Sequence, residues 1–253
     1  MRLHLHEWGD PGSPPVVCLH GITTHGRRYR RLAEERLAQR YRVLAPDLRG
    51  HGRSGYEPPW TIAAHLADIV ETVTAAGVER AAWVGHSFGG RLILELAARE
   101  PERVERAALL DPAIQILPHI GLDFASHELN DTSFGTTEEA IEARLATGMR
   151  IPREFLEEEM REHLVTGGDG RLRYRYCRPA AIAGYSEMCT EPPPPETLRA
   201  PAILVYAPEF GLVREEQIDA YAGHAETVAV KGGHVVYWGA YEETAAALEQ
   251  FLL

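Results

Sequence analysis

Chemistry in this chain centres on the run Gly85-His86-Ser87-Phe88-Gly89-Gly90. It matches the pattern G-x-S-x-G, and it sits between an apolar run, Ala81 to Val84, and a helical pattern beginning near Arg91, which is the strand-turn-helix setting the pattern requires. Side chains at positions 85 and 89 would collide with neighbouring backbone in so sharp a turn, and the turn forces the serine into strained dihedrals. Ser87 Oγ is thereby presented at a helix N-terminus, where the Phe88 amide and the helix dipole can stabilise an oxyanion. The chemistry implied is nucleophilic attack on an acyl carbon. A second signal, His20-Gly21-Ile22, follows the apolar run Val16 to Leu19; the Ile22 amide is the candidate second oxyanion donor, with Gly21 allowing close approach and His20 as a packed structural histidine. Cys18, Cys177 and Cys189 form no C-x-x-C pair, so neither a disulfide framework nor a zinc site is expected, and Cys18 fits a small core residue. The elbow glycines are wrongly spaced for a dinucleotide fingerprint, and no metal or organic cofactor is expected.

These residues need a frame. Short apolar runs at Val16 to Leu19, Arg42 to Ala45, Ala81 to Val84, Ala107 to Leu110, Ile203 to Tyr206 and Thr227 to Val230 have the character of buried strands. Most are separated by helical patterns such as Arg31 to Gln39, Ile62 to Ala76 and Arg91 to Arg99. That alternation predicts an α/β class: a mostly parallel, doubly wound sheet with helices on both faces. The alternating Leu3-His4-Leu5-His6 predicts an antiparallel edge strand. One interval, Pro112 to Ala200, contains no clear buried strand, so a single domain over 1–253 with a cap inserted at approximately 113–200 is expected. Within the interval, Glu138 to Thr147 and Arg153 to Val165 have helical character, with Thr137 and Pro152 placed to start them. Gly167 to Gly170 then stops the second helix, Arg171 to Tyr176 alternates as an extended piece, and Pro192 to Pro195 returns the chain to the body.

Length and composition agree with one ordinary globular core: 253 residues, 45% hydrophobic and 25% charged. No stretch approaches a membrane span, and the opening MRLHLHEWGD lacks an apolar signal core, so a cytoplasmic location is the expectation. The formal charge of -11 disfavours nucleic acid as a partner, because phosphate binding needs a basic surface. Oligomeric state leaves no mark in the sequence.

Taken together, His20-Gly21, the run Asp47-Leu48-Arg49-Gly50-His51-Gly52-Arg53-Ser54, the elbow at Ser87 and a late glycine-flanked histidine occur in the order found in the α/β-hydrolase superfamily, which the chain resembles over nearly all its length apart from the cap. The resemblance implies that the Asp47 to Ser54 run shapes the floor of the site. It also implies that the general base is the late histidine, His234 in Gly232-Gly233-His234, directly after the last expected strand. In most relatives an aspartate follows the strand that is here Ile203 to Tyr206, but this chain has Gly211 at that register. Two carboxylates remain: Asp111, the better candidate, at the end of the strand after the nucleophile helix, where some lipases and zearalenone-type lactonases carry their acid, and as the alternative Glu209, which would have to reach over a reshaped turn. Either meets the physical requirement that a carboxylate hold the imidazole Nδ1.

The implied reaction is hydrolysis of a small-molecule carboxylic ester or lactone through an acyl-enzyme on Ser87. The aromatic residues Phe124, Phe134, Tyr174, Tyr185 and Trp238 are candidate substrate walls, and Arg173 and Arg175 fit the solvated face of their extended piece. Two alternatives stay open. One is another chemistry on the same fold, such as carbon-carbon bond hydrolysis, a lyase reaction or cofactor-free oxygenation; the other is a ligand-binding protein with a weakened triad.

Overall fold

The apolar runs become adjacent strands because each alternates its side chains between two apolar layers. The computed structural model describes residues 1–147 and 150–253. Its strands are β1 (Leu5–Trp8), β2 (Pro15–Leu19), β3 (Arg42–Pro46), β4 (Ala81–His86), β5 (Val104–Leu110), β6 (Leu164–Thr166), β7 (Leu172–Tyr174), β8 (Ala202–Tyr206) and β9 (Glu226–Ala229). Seven of them form one sheet in the order β1-β3-β2-β4-β5-β8-β9. β1 is antiparallel to β3 and every other pairing is parallel. Val17, Leu19, Trp83, Leu109 and Leu204 face one core, whereas Val16, Cys18, Val84, Ala108 and Val205 face the other. This two-residue alternation between two covered faces is what a parallel sheet sandwiched by helices demands.

Strand β1 begins two residues later than the alternation of Leu3 to His6 suggests. The amide of Leu3 donates to Thr72 Oγ1 at 2.9 Å and that of His4 to Ser54 Oγ at 2.9 Å, so side chains take the groups a strand partner would have used. The helical pattern at Arg31 to Gln39 is present but uneven, widening over Ala33–Leu37 to end with the Ala38 amide bonded to the Ala33 carbonyl.

Between β5 and β8 no strand joins the main sheet among the described residues. This excursion carries helices Pro118–His127, Thr137–Ala146, Arg153–His163 and Arg178–Met188 and the antiparallel pair β6-β7. Thr136, rather than Thr137, caps its helix, its hydroxyl accepting from the Glu139 amide at 3.2 Å. The second expected helix ends at His163, because Leu164 already pairs with Tyr174.

The strand order itself positions the site. After β3 the chain crosses over β2 to enter β4, so the order reverses there, and in open α/β sheets ligands bind beyond the carboxyl ends at such a point. β2 and β4 end side by side, with Leu19 opposite Gly85, which brings the loop after β2 to the turn after β4.

Candidate active site

The turn after β4 is held on both sides. The Ser87 amide donates to the Leu110 carbonyl at 3.2 Å, and the Ser87 carbonyl accepts from the Ala113 amide at 3.0 Å. Ser87 lies at φ 55° and ψ -117°, a conformation that L-residues rarely adopt, and helix Phe88–Arg99 starts directly after it. Phe88 is the first residue of that helix, so its amide has no intrahelical acceptor and is free for a ligand. Glycine at 89 is obligatory here: a Cβ would collide with the Leu19 carbonyl oxygen of β2. The described non-glycine residues with positive φ are Thr23, Ser87 and Asp111, all in the loops at this one edge of the sheet. Backbone strain of this kind costs about 1–3 kcal/mol per residue and clusters where geometry matters more than stability.

The loop after β2 is fixed by His20. Its ring is fully buried, Nε2 accepts the Leu48 amide at 2.9 Å, and Nδ1 lies 2.7 Å from the Gly21 carbonyl, which makes Nδ1 the protonated nitrogen. Burial holds this imidazole well below its ordinary pKa, so it remains neutral and keeps both bonds. Thr24 Oγ donates to the same carbonyl at 2.9 Å. Gly21-Ile22 is thus a rigid neighbour of the serine turn.

His234 reaches the same place from the loop after β9. Its Nδ1 lies 2.6 Å from Asp111 Oδ2, and the other carboxylate oxygen accepts the Ala207 amide at 3.1 Å. Asp111 is completely buried just beyond the end of β5, and Ala207, which supplies that amide, directly follows the neighbouring strand β8. A buried carboxylate that can only accept fixes the proton on Nδ1 and leaves Nε2 as the basic nitrogen. The His234 carbonyl accepts His86 Nε2–H at 2.9 Å, and Phe210 stacks on the His234 ring at 4.9 Å. His86 is also held neutral, chiefly by burial and further by the neighbouring His234.

Glu209 is elsewhere. It pairs with Arg150 at 2.7 Å, with both side chains mostly exposed, and Phe210, the next residue, is the one that turns to His234. Of the carboxylates open at the sequence level, Asp111 is the one hydrogen-bonded to the histidine.

Ser87, His234, His86 and Ile22 line a cavity of about 220 Å³. Phe124 and Tyr185, their rings 5.5 Å apart, form part of its wall, as the aromatic reading expected. Phe134, Tyr174 and Trp238 are not among its lining residues. Phe134 packs edge-on against Tyr174 at 5.2 Å, Tyr174 stacks on His163 at 5.1 Å, and Trp238 lies against Phe155 and beneath the Arg28 guanidinium. Their rings are committed to packing, with Phe134 and Trp238 in a different apolar cluster from Phe88. Sequence reasoning missed Arg28, Arg144, Met188 and Phe210, all of which line the cavity. For Arg144 a signal existed: it follows Ala140 and Ile141, the buried stripe of its helix, at i+4 and i+3 spacing.

The Asp47 to Ser54 run does structural work. Asp47, buried, accepts the amides of Gly26 at 2.7 Å and Arg53 at 2.8 Å and pairs with His6 at 3.1 Å. Burial alone would raise its pKa, but these bonds and the neighbouring histidines hold it below the usual carboxylate range. Arg173 and Arg175 face away from the cavity, Arg173 pairing with Asp131 and Asp169 and Arg175 donating to the Glu162 carbonyl. No helix among the described residues is long and apolar enough to cross a membrane.

Known proteins share this fold. The profile of the alpha/beta hydrolase fold family matches residues 14–155. Lipase LipV of Mycobacterium tuberculosis is 35% identical over 194 residues, spanning 75% of this chain and 72% of that protein. A 3-hydroxybutyrate-oligomer hydrolase of Cupriavidus necator is 35% identical over 121 residues, 46% of this chain and 41% of that protein. Among solved structures, an E-2-(acetamidomethylene)succinate hydrolase superposes with a TM-score of 0.87 at 23% identity, covering 99% of this chain and 94% of the other. With more than half of the chain matched by the family profile and the sheet order, elbow and late histidine in place, this protein belongs to the alpha/beta hydrolase fold family.

Proposed function

We propose that the protein hydrolyses a small carboxylic ester or lactone by two-step acyl transfer. Ser87 Oγ attacks the carbonyl carbon while His234 Nε2 takes its proton; Asp111 keeps the imidazole in the required tautomer and stabilises the imidazolium. The amides of Ile22 and Phe88 hold the oxyanion, and each such donor contributes roughly 10² to 10³ in rate. His234 then protonates the leaving alkoxide. In the second step it activates water, which releases the acid and restores Ser87.

The observation that carries this reading is the 2.6 Å contact between His234 and a buried carboxylate, at the cavity that Ser87 enters from a strained turn. The names of two relatives, a lipase and an oligomer hydrolase, support hydrolysis. The cavity, at about 220 Å³, is smaller than the roughly 300–1,000 Å³ of sites for drug-sized ligands, which favours a short acyl group over a long lipid chain. Its roof comes from the excursion between β5 and β8, through Phe124, Tyr185 and Met188, and this segment acts as the cap that selects the substrate.

The test is hydrolysis of p-nitrophenyl esters from acetate to dodecanoate by wild type and Ser87→Ala, with circular dichroism to verify folding. Turnover highest on short acyl groups and lost in Ser87→Ala is the expected result. Folded wild type without serine-dependent turnover on esters or lactones would overturn the reading and direct attention to the lyase and oxygenase chemistries of the same fold.

A further inference from the structure

The cavity carries two arginines, and they are not in the same state. Arg28 is buried and has a carboxylate of its own, Glu159, 3.1 Å from its Nε, with both side chains almost completely enclosed. Arg144 has none. No carboxylate among the described residues lies within ion-pairing distance of it, and its Nε is buried without a hydrogen-bond partner. The nearby acids are committed: Glu159 to Arg28, and Glu128 to the Tyr176 hydroxyl at 2.8 Å. Arg144 projects from helix Thr137–Ala146 of the excursion, and its guanidinium lies 5.1 Å over the Tyr174 ring. Stacking orients the plane of a guanidinium while leaving its donating edges for a ligand.

An arginine does not escape such a position by losing its proton. Removing its charge from water is unfavourable unless a counter-charge arrives, so a cation left unpaired in a substrate cavity is completed by an anion from the ligand. A planar fork of N–H donors matches a carboxylate two bonds at a time. Tyr185, on the same wall, supports this: burial pushes its phenol up, so the hydroxyl stays a donor, and the charge of Arg144 is felt there. The other ionisable groups at the cavity are His86 and His234, and neither brings a negative charge to compete.

We propose that Arg144 binds an ionised carboxylate of the substrate, so that the ester or lactone bond cut at Ser87 belongs to a small molecule carrying a second acid group, such as the half-ester of a short dicarboxylic acid. This rests on the acyl-transfer reading for the bond that is cut, but not for the anion that is bound. Arg144 is then a specificity residue, acting on binding of the distal end while Ser87 acts on the carbonyl.

Two measurements separate these points. The first compares the mono-p-nitrophenyl ester of glutaric acid, which ends in a carboxylate, with p-nitrophenyl pentanoate, which ends in a methyl group. Wild type is expected to favour the anionic ester by roughly 10- to 100-fold in kcat/KM, the range of a charge-assisted contact. Arg144→Met should collapse that ratio toward one, mainly through KM, Arg144→Lys should retain part of it, and Arg173→Gln, which removes an arginine outside the cavity, should leave the ratio unchanged. The second is calorimetric binding of glutarate to Ser87→Ala, expected to be lost when Arg144→Met is added. A wild type that prefers the neutral ester, or a ratio and glutarate binding that survive Arg144→Met, overturns the proposal while leaving serine hydrolysis intact. Glutarate binding that depends on Arg144, in a protein that cleaves neither ester, supports the anion site and overturns the acyl-transfer reading instead. Should Arg144→Met not fold, the wild-type ratio and Arg144→Lys decide: a ratio near one in wild type refutes the proposal by itself.

Discussion

Asp111 and Glu209 differ in surroundings more than in chemistry, and that difference sets what their substitution should do. Asp111 is completely buried with both oxygens engaged, one by His234 and one by the Ala207 amide. Asp111→Asn retains the shape and puts an amide where an acceptor is needed, so it disfavours the tautomer that leaves Nε2 basic. A fall in kcat of about 10⁴ with folding preserved is expected, against less than twofold for Glu209→Gln, whose exposed pair with Arg150 contributes little. Stopped-assay kinetics on one activated ester distinguishes them, and a fall confined to Glu209→Gln would assign the acid to the other loop. The serine and histidine were legible in the sequence because their signals are local: glycines at fixed offsets, and a histidine at a strand end. The acid was legible only as a preference for Asp111 over Glu209, since two loops emerge at one edge of the sheet and only side-chain direction separates them. Arg144 carries only the weak signal of its spacing, because a charged residue at the end of a buried stripe looks like any helix-surface arginine until the cavity beside it is known.

The helix that follows Ser87 and the strand β2 approach so closely that position 89 has no room for a side chain. Gly89→Ala must push the helix away from the Leu19 carbonyl, which displaces the Phe88 amide relative to the Ile22 loop. The expected cost is about 1–3 kcal/mol in stability, as for other overpacked sites, with a fall in kcat/KM on the order of 10² from the misplaced donor. Urea denaturation and steady-state kinetics on the purified variant measure the two effects; unchanged kinetics would show that the separation of these elements does not set the site. The parallel sheet was readable from its apolar runs, whose buried faces leave little freedom in register. Two helices of the excursion were not. Helix Pro118–His127 buries only Gly121 and exposes Leu122 and Ile120, so it shows no apolar stripe to find. Helix Arg178–Met188 contains Gly184, an unfavourable residue in a helix interior, yet a Cβ there would press into the Ile22 side chain. A local preference yields to a contact with the rim of the cavity, and such a contact has no trace in sequence spacing.

Twelve histidines are visible in the sequence, but their burial is a property of the folded chain. His20, His25, His51, His65, His86 and His163 all have their pKa lowered first of all by burial, to about 4 for His25 and His51 and about 3 for His65. His25 and His163 also stack on one another at 5.0 Å, so a proton on either opposes one on the other. In the unfolded chain these rings take up protons near pH 6.5, whereas in the folded protein they remain neutral to well below that. The unfolded state therefore binds more protons throughout this interval, and stability present above pH 6.5 is lost as the pH falls from there toward the folded values. Each such histidine contributes a slope of up to about 1.4 kcal/mol per pH unit, so a few acting together can remove the roughly 5–15 kcal/mol of a typical domain before its carboxylates titrate. Asp47, whose carboxyl the fold holds below the usual carboxylate range, adds to this loss at lower pH: its stabilisation is present above the ordinary value of 3.8 and is lost as the pH falls below it. Urea unfolding at pH 7.5, 6.0 and 5.0 should show a midpoint that falls most steeply between pH 6.0 and 5.0; a flat midpoint across that range would mean that the buried rings find partners or water when protonated. His65 offers the separate check, because both of its ring nitrogens are buried without a partner and its ring meets the edge of Phe88 at 5.2 Å. His65→Leu removes two unsatisfied polar atoms and one acid-sensitive group, so the variant should match or exceed wild type at pH 7.5 and exceed it by a wider margin at pH 5.0.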